Sequence, residues 1–183
     1  ICSASLSRRA ITVPACTLAV PAAILALPRA LLAPAVALPG TLLAPVIPQA
    51  SSRLWAAIGG EGEVVHIKGL ATPTDDARTA GMMQAAAGFP GISIVGGLRG
   101  DWVREKARTV MLSMVTAFPN MKGVFAQNDS MALGALSVLT ERGMTSVKVA
   151  GIDGLSEGLQ EVAKGGQFVA TNTSLPPYQA GFA

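Results

Sequence analysis

Hydrophobic residues between positions 103 and 118 recur every three or four residues, with charged side chains between them. This spacing places the apolar positions on one face of a helix. Asp101 is a suitable N-cap before this helix, and Pro119 ends it. The short apolar run 123–127, bounded by turn residues, is typical of a strand that is covered on both faces. The stretch therefore predicts a helix followed by a buried strand.

The same alternation of patterns continues on both sides of this stretch. Strand patterns occupy 63–68, 92–96, 147–152 and 167–173, and helix patterns occupy 75–87, 130–142 and 156–164. Strands that alternate with helices form a parallel sheet with right-handed crossovers. We therefore predict an α/β fold, with a parallel sheet of about five strands and helices on both of its faces.

The first 53 residues do not share this pattern. They are rich in Ala, Leu, Pro and Val, and prolines recur at 14, 21, 28, 34, 39, 45 and 48. Proline inside a helix removes a hydrogen bond, so this irregular segment is a poor transmembrane helix and a poor signal peptide. Three interpretations stay open: a disordered proline-rich lead, an unusual export segment, or a non-native stretch read out of frame. We divide the chain into this segment, 1–53, and a lobe at 54–183.

The net charge of +3 does not indicate a nucleic-acid partner. Up to Gly60 the only charged residues are four arginines, whereas the rest of the chain carries 10 basic and 11 acidic residues. The ordered-looking part is therefore nearly neutral, and it has no basic stripe with interleaved aromatic residues. These features exclude nucleic acid from the expected partners.

Few residues are suited to catalysis or to metal binding. The single histidine, His66, lies in an apolar run and is read as a buried strand residue. Both cysteines, Cys2 and Cys16, precede the predicted lobe, so no cysteine–histidine pair and no metal-ligand spacing is present there. No glycine-rich segment has the spacing of a phosphate-binding loop. The sequence therefore predicts no enzyme, no cofactor and no metal.

Polar and aromatic residues collect where the predicted strands end. Asn128 and Asp129 follow the third strand, Asp153 follows the fourth, Ser174 follows the fifth, and Trp102 lies in the loop after the second. Ligands of open α/β sheets bind outside the carboxyl ends of the strands. An aromatic face, an amide and a carboxylate on one rim suit a neutral polyhydroxylated ligand.

Each of these residues also has a purely structural interpretation. Trp102 is equally suited to be a hydrophobic anchor at a helix start, and Asp153 precedes a glycine as in an ordinary turn. We expect Asp129 to cap the helix at 130, which leaves Asn128 as the ligand contact. Arg104 is expected to be a solvated helix residue.

Three segments together resemble a known family. They are Gly-Asp-Trp-Val-Arg-Glu-Lys-Ala at 100–107, Val-Phe-Ala-Gln-Asn-Asp at 124–129 with Met-Ala-Leu-Gly-Ala-Leu at 131–136, and Val-Ala-Gly-Ile-Asp-Gly at 149–154. They are similar to the periplasmic sugar-binding proteins of ABC importers, of the ribose-binding type. The resemblance covers residues 54–183 and implies one lobe of a type I periplasmic binding protein fold, the C-terminal one.

The resemblance also implies site residues. Trp102 takes the position of the stacking aromatic, Asn128 that of the binding amide and Asp153 that of the binding carboxylate. Ser174 falls where several members place a polar ligand residue. A ligand arginine is often found near 75–78, so Arg78 is the candidate, with Asp76 as the alternative occupant of that position.

By this resemblance the chain is the substrate-binding component of an ABC-type sugar importer. It would bind a monosaccharide or polyol in a cleft between two lobes, act as a monomer at a membrane permease, and reside in the periplasm. The N-terminal lobe is not recognisable before Leu54, and the last crossover and helix are expected to be missing. Two alternatives remain: the effector-binding domain of a lac-repressor-type regulator, or an inactive truncated fragment.

Overall fold

The computed structural model of the protein describes residues 46–173. Ser174 and residues 1–45 lie outside the described residues. The described part has five strands: β1 (Glu61–Lys68), β2 (Gly91–Arg99), β3 (Gly123–Ala126), β4 (Lys148–Ala150) and β5 (Phe168–Ala170). Its five helices are α1 (Val46–Ala57), α2 (Pro73–Ala86), α3 (Arg104–Ala117), α4 (Asp129–Glu141) and α5 (Ser156–Ala163).

The strands form one parallel sheet in the order β2-β1-β3-β4-β5. Side chains alternate between the two faces of each strand, so the sheet supports two separate cores. On one face Val65, Val124 and Val149 pack with α3 and α4, and on the other Val64, Phe125 and Ala150 pack with α1 and α2. The predicted α/β class and the five parallel strands are confirmed.

Helix α1 was not predicted, and the boundary predicted at Leu54 falls inside it. Ala50, Leu54 and Trp55 of this helix are buried against the sheet. The helix was missed because a proline such as Pro48 is ordinarily a sign against a helix. Pro48 lies in the first turn of α1, where a backbone N–H has no partner within the helix, so proline is tolerated there. A division between residues 53 and 54 would cut through a packed helix.

Two predicted helix caps were wrong. Asp101 does not cap α3; it has a positive φ of 50°, pairs with Lys106, and leaves Val103 as the residue before the helix. Asp129 does not cap α4, because the Asn128 side chain accepts the hydrogen bond from the backbone N–H of Met131. Asn128 has the extended backbone that a cap residue needs.

No helix among residues 46–173 is long and apolar enough to cross a membrane. The longest of them, α2 and α3, have 14 residues each.

Helices α3 and α4 approach each other closely at Gly134. A Cβ atom at this position would lie 2.4 Å from the backbone oxygen of Arg104, which is shorter than any normal contact. We therefore expect Gly134→Ala to destabilise the fold by about 1–2 kcal/mol, because the two backbones must separate. Urea unfolding tests this expectation. Gly166→Ala is the control, since nothing lies within 4 Å of its Cβ position, and equal stability of both variants would contradict the prediction.

Candidate functional site

An open pocket of about 400 Å³ lies at the carboxyl edge of the sheet. Its lining residues come from the loops after β1, β2, β3 and β4 and from the start of α2: Thr72, Thr74, Arg78, Trp102, Asn128 and Asp153. Four of the five residues proposed from the sequence therefore meet in one pocket. The fifth, Ser174, lies outside the described residues. Thr72 and Thr74 were not predicted.

Arg78 is the centre of this pocket. Its guanidinium donates to Asp153 Oδ1 at 2.8 Å and to the backbone oxygen of Gln127, and it lies 5.3 Å from the centre of the Trp102 ring. The Arg78 side chain is 9% exposed, and that of Asp153 is 29% exposed. The pair therefore presents both hydrogen-bond donors and a carboxylate acceptor to the pocket at almost no net charge. Asp76, the alternative to Arg78, is exposed and does not line the pocket.

Trp102 reaches the pocket because its loop follows an unusual path. Its φ is +67°, a left-handed value that is uncommon for a residue other than glycine. The indole occupies the space beside Gly69, where a Cβ atom would lie 2.1 Å from the ring. Glycine at 69 thus makes room for the aromatic ring.

Asn128 both supports the site and lines it. Its Oδ1 caps α4, and its Nδ2 donates to the Trp102 backbone oxygen at 3.3 Å. A side-chain amide has two N–H donors and two acceptor lone pairs, so each atom keeps capacity for one more hydrogen bond. The expected separation into a capping Asp129 and a binding Asn128 was wrong, since Asn128 is the cap and also faces the pocket.

Gln127 was not predicted as a site residue, although it organises the arginine. It is fully buried, and its side chain accepts from Gly69 N–H at 3.0 Å and donates to Thr79 Oγ1 at 2.9 Å. These bonds tie the end of β3 to the loop after β1 and to α2, the helix that carries Arg78. A polar residue at the end of an apolar strand, directly before Asn128, was the available sequence signal for such a role.

His66 is a buried imidazole whose pKa is lowered. Burial, reinforced by the charges of Lys68 and Arg99 and opposed by that of Asp75, lowers the pKa of His66 to about 4. His66 lies in β1, 2% exposed, as the sequence indicated. The imidazole is therefore neutral at physiological pH, and it does not line the site pocket.

A larger pocket of about 510 Å³ lies at the opposite edge of the sheet. Its charged lining groups, Lys122 and Lys148, already contact Glu61 and the Gly166 carbonyl. It offers no aromatic face and no carboxylate, so size alone does not make it the better site. Among residues 46–173 no cluster of three or more His, Cys, Asp or Glu side chains could hold a metal ion.

Sequence comparisons place this geometry among known proteins. The family profile described as periplasmic binding protein domain matches residues 48–183. The xylitol-binding protein of Mycolicibacterium smegmatis is 38% identical over 117 residues, which are 63% of this chain and 33% of that protein. The ribose import binding protein of Salmonella typhimurium is 39% identical over 119 residues, which are 64% of this chain and 40% of that protein. The chain thus spans a third to two-fifths of the length of these relatives.

Solved structures give the same result. An ABC transporter periplasmic solute-binding protein from Actinobacillus succinogenes, with bound D-allose, has a TM-score of 0.64 and 33% identity over 66% of this chain and 43% of that one. An ABC transporter solute-binding protein from Mycobacterium smegmatis, with bound glycerol, has a TM-score of 0.62 and 40% identity over 68% of this chain and 45% of that one. Sugar- or polyol-bound proteins therefore share the fold of the described lobe.

Proposed function

Because the chain belongs to the periplasmic binding protein domain family, we propose that it is the substrate-binding component of an ABC-type sugar importer. Its ligand is a monosaccharide or related polyol, bound non-covalently. The observation that carries this proposal is the pocket in which Arg78, Asp153 and Asn128 face the Trp102 ring. Relatives named for binding xylitol and importing ribose support it.

The charges of the pocket favour a neutral ligand. Arg78 is matched by Asp153, so an anion would meet the carboxylate and a cation would meet the guanidinium. Adjacent hydroxyl groups avoid both conflicts, because a hydroxyl can donate to Asp153 and accept from Arg78 or Asn128. The apolar face of a sugar ring can pack on the indole of Trp102.

The pocket provides only one wall of a binding site. It is open, and apolar side chains at the same edge of the sheet are exposed: Leu70, Val103 and Leu155. Ligand sites usually enclose most of the ligand, and exposed apolar groups around a polar site indicate a surface that another surface covers. We propose that a second lobe supplies the other wall and closes over the sugar.

The remaining parts of the proposal concern the surroundings of the protein. We propose a monomer that delivers its ligand to a membrane permease of an ABC importer in the periplasm. We also propose binding without catalysis, since the only histidine of the chain, His66, lies away from the pocket. Nucleic acid is not among the proposed partners.

A ligand screen tests the proposed function. The 183-residue chain is heated with pentoses, hexoses, inositols and sugar alcohols, and its unfolding temperature is recorded. Saturable stabilisation by one sugar or polyol supports the proposal, because a ligand that binds only the native state raises its stability. A folded chain that none of them stabilises would contradict sugar binding by this molecule and favour the inactive fragment.

The indole of Trp102 has a separable contribution to affinity. We expect Trp102→Ala to weaken binding of the sugar found in the screen by about tenfold, because stacking on an aromatic face is lost. Trp102→Phe keeps an aromatic face, so its sugar affinity is expected to fall less than that of Trp102→Ala. Isothermal titration measures both, with Leu159→Ala on an exposed part of α5 as the control. An unchanged affinity in Trp102→Ala would contradict the stacking role.

A further inference from the structure

Asp129 is a buried carboxylate that the pocket does not use directly. It is fully buried at the start of α4 and does not line the pocket. Thr171 Oγ1 lies 2.7 Å from its Oδ1 and 2.8 Å from its Oδ2, and Leu155 N–H donates to its Oδ2 at 2.8 Å. Burial raises the pKa of Asp129, whereas the hydrogen bonds from Thr171 and Leu155 lower it. The carboxylate therefore joins three segments: the ends of β3, β4 and β5.

The surrounding chain is shaped to admit this carboxylate. A Cβ atom at Gly151 would lie 2.3 Å from Asp129 Oδ1, and one at Gly158 would lie 2.8 Å from Oδ2. Both distances are shorter than a normal contact. The two glycines on either side of the loop after β4 thus let the loop close around the Asp129 side chain.

The residue in this loop that faces the pocket is Asp153. Its backbone φ is +121°, in a region where residues other than glycine are strained. Such a conformation persists only when the surrounding structure fixes it. The fixing bonds lie on both sides of Asp153: Asp129 N–H donates to the Ile152 oxygen at 2.7 Å, and Leu155 N–H donates to the Asp129 carboxylate.

Thr171 links the same carboxylate to the next residue of the loop. Its hydroxyl donates to Asp129 and accepts from Gly154 N–H at 3.1 Å. Asp153 N–H donates to the Asn172 oxygen at 2.8 Å, so the segment after β5 holds the loop at two points. All four residues from Ile152 to Leu155 are therefore held by Asp129 or by the segment after β5.

We propose that Asp129, with Thr171 as its partner, is a positioning residue that holds Asp153 in its strained conformation. In this conformation the Asp153 carboxylate meets Arg78 at the pocket wall. Asp129 acts on the ligand only through Asp153. The effect of Asp129 on the ligand rests on the proposed sugar-binding function, whereas its positioning of the loop after β4 does not.

Amide hydrogen exchange followed by NMR tests the positioning without any ligand. In Asp129→Asn we expect exchange at Leu155 to accelerate by about tenfold, because its acceptor is no longer a carboxylate. Exchange at Val149, which donates to the Gln167 oxygen just before β5, should not change. Equal acceleration at both amides, or none at Leu155, would overturn the proposal.

A second variant keeps this test decisive if Asp129→Asn does not fold. Thr171→Val has nearly the same shape but lacks the hydroxyl, and it is expected to accelerate exchange at Gly154 and Leu155. Thr116→Val is the matched control, because the Thr116 hydroxyl donates to the Leu112 oxygen on the exposed side of α3. Exchange at Gly154 and Leu155 that is the same in Thr171→Val and Thr116→Val would overturn the proposal.

A double-mutant cycle tests whether Asp129 acts through Asp153. With D-ribose, D-allose and xylitol as probes, we expect Asp129→Asn to weaken binding about tenfold in the native background and less than about twofold in Asp153→Asn. Equal losses in both backgrounds would show a general structural role and overturn the proposal. If neither these probes nor any sugar or polyol of the screen binds the native chain, the proposed function fails, and the exchange experiment still decides the role of Asp129.

Discussion

Arg78→Met is expected to lower sugar affinity by about a hundredfold, which corresponds to roughly 3 kcal/mol. The guanidinium contacts Asp153, the Gln127 oxygen and the Trp102 ring together. Its removal leaves a partly buried carboxylate and a buried carbonyl without this donor, and the ligand loses a charged hydrogen-bond partner. Isothermal titration of the 183-residue chain with the sugar found in the screen measures the loss.

Arg108→Met is the matched control for this prediction. Arg108 pairs with Glu141 on the surface between α3 and α4, away from the pocket. Ion pairs on the surface contribute little to the free energy of unfolding. We expect its sugar affinity to equal that of the native chain. Circular dichroism confirms that both variants are folded. An Arg78→Met variant that binds sugar as tightly as Arg108→Met would contradict the central role of Arg78.

The second large effect concerns stability at acidic pH. We expect the free energy of unfolding to fall by about 2 kcal/mol between pH 7 and pH 5 through His66 alone, and by about 3 kcal/mol by pH 4. The pKa of His66 is about 4 in the folded chain, against 6.5 for the unperturbed group. Between these values the unfolded chain binds the proton and the folded chain does not, so acid favours unfolding.

Urea unfolding at a series of pH values measures this dependence. His66 is the only histidine, so His66→Leu removes every imidazole from the titration. The Nε2 atom of His66 is buried without a hydrogen-bond partner, so leucine breaks no bond there. We expect the loss of stability between pH 7 and pH 5 to be mostly abolished in His66→Leu. If the free energy of unfolding of His66→Leu falls as steeply between pH 7 and pH 5 as that of the native chain, groups other than His66 cause the loss.

Asp129 acts in the direction opposite to His66. Its pKa is raised in the folded chain, chiefly by burial, so its protonation favours the folded state as pH falls. His66→Leu keeps Asp129, so the difference in stability between the native chain and this variant isolates the contribution of His66.

The sequence predicted the sheet because the signal is local. The apolar spacing of α3 and the run of β3 depend only on neighbouring residues, and both elements are found within a few residues of their predicted positions. The clustering of Trp102, Asn128 and Asp153 followed from the rule that parallel strands end at one edge. Arg78 was reached only through the family resemblance, since helical spacing does not show which face of α2 meets the pocket.

The features that the sequence did not reveal depend on long-range contacts. Whether Asn128 or Asp129 caps α4 is decided by the position of Thr171 and of Leu155, which lie far along the chain. The positive φ of Asp153 depends on the same contacts. Helix α1 was hidden because its proline-containing start looks like the segment before it, while its burial depends on packing against the sheet.

The measurement that tests the central claim most directly is an NMR titration of the 183-residue chain with the best sugar of the screen, followed at the indole N–H signals. The chain has two tryptophans: Trp102 lines the pocket, and Trp55, a residue of α1, is fully buried in the core. The proposed site predicts a saturable shift of the Trp102 signal and none at Trp55. A titration that saturates without moving the Trp102 signal would place the sugar elsewhere and contradict the site.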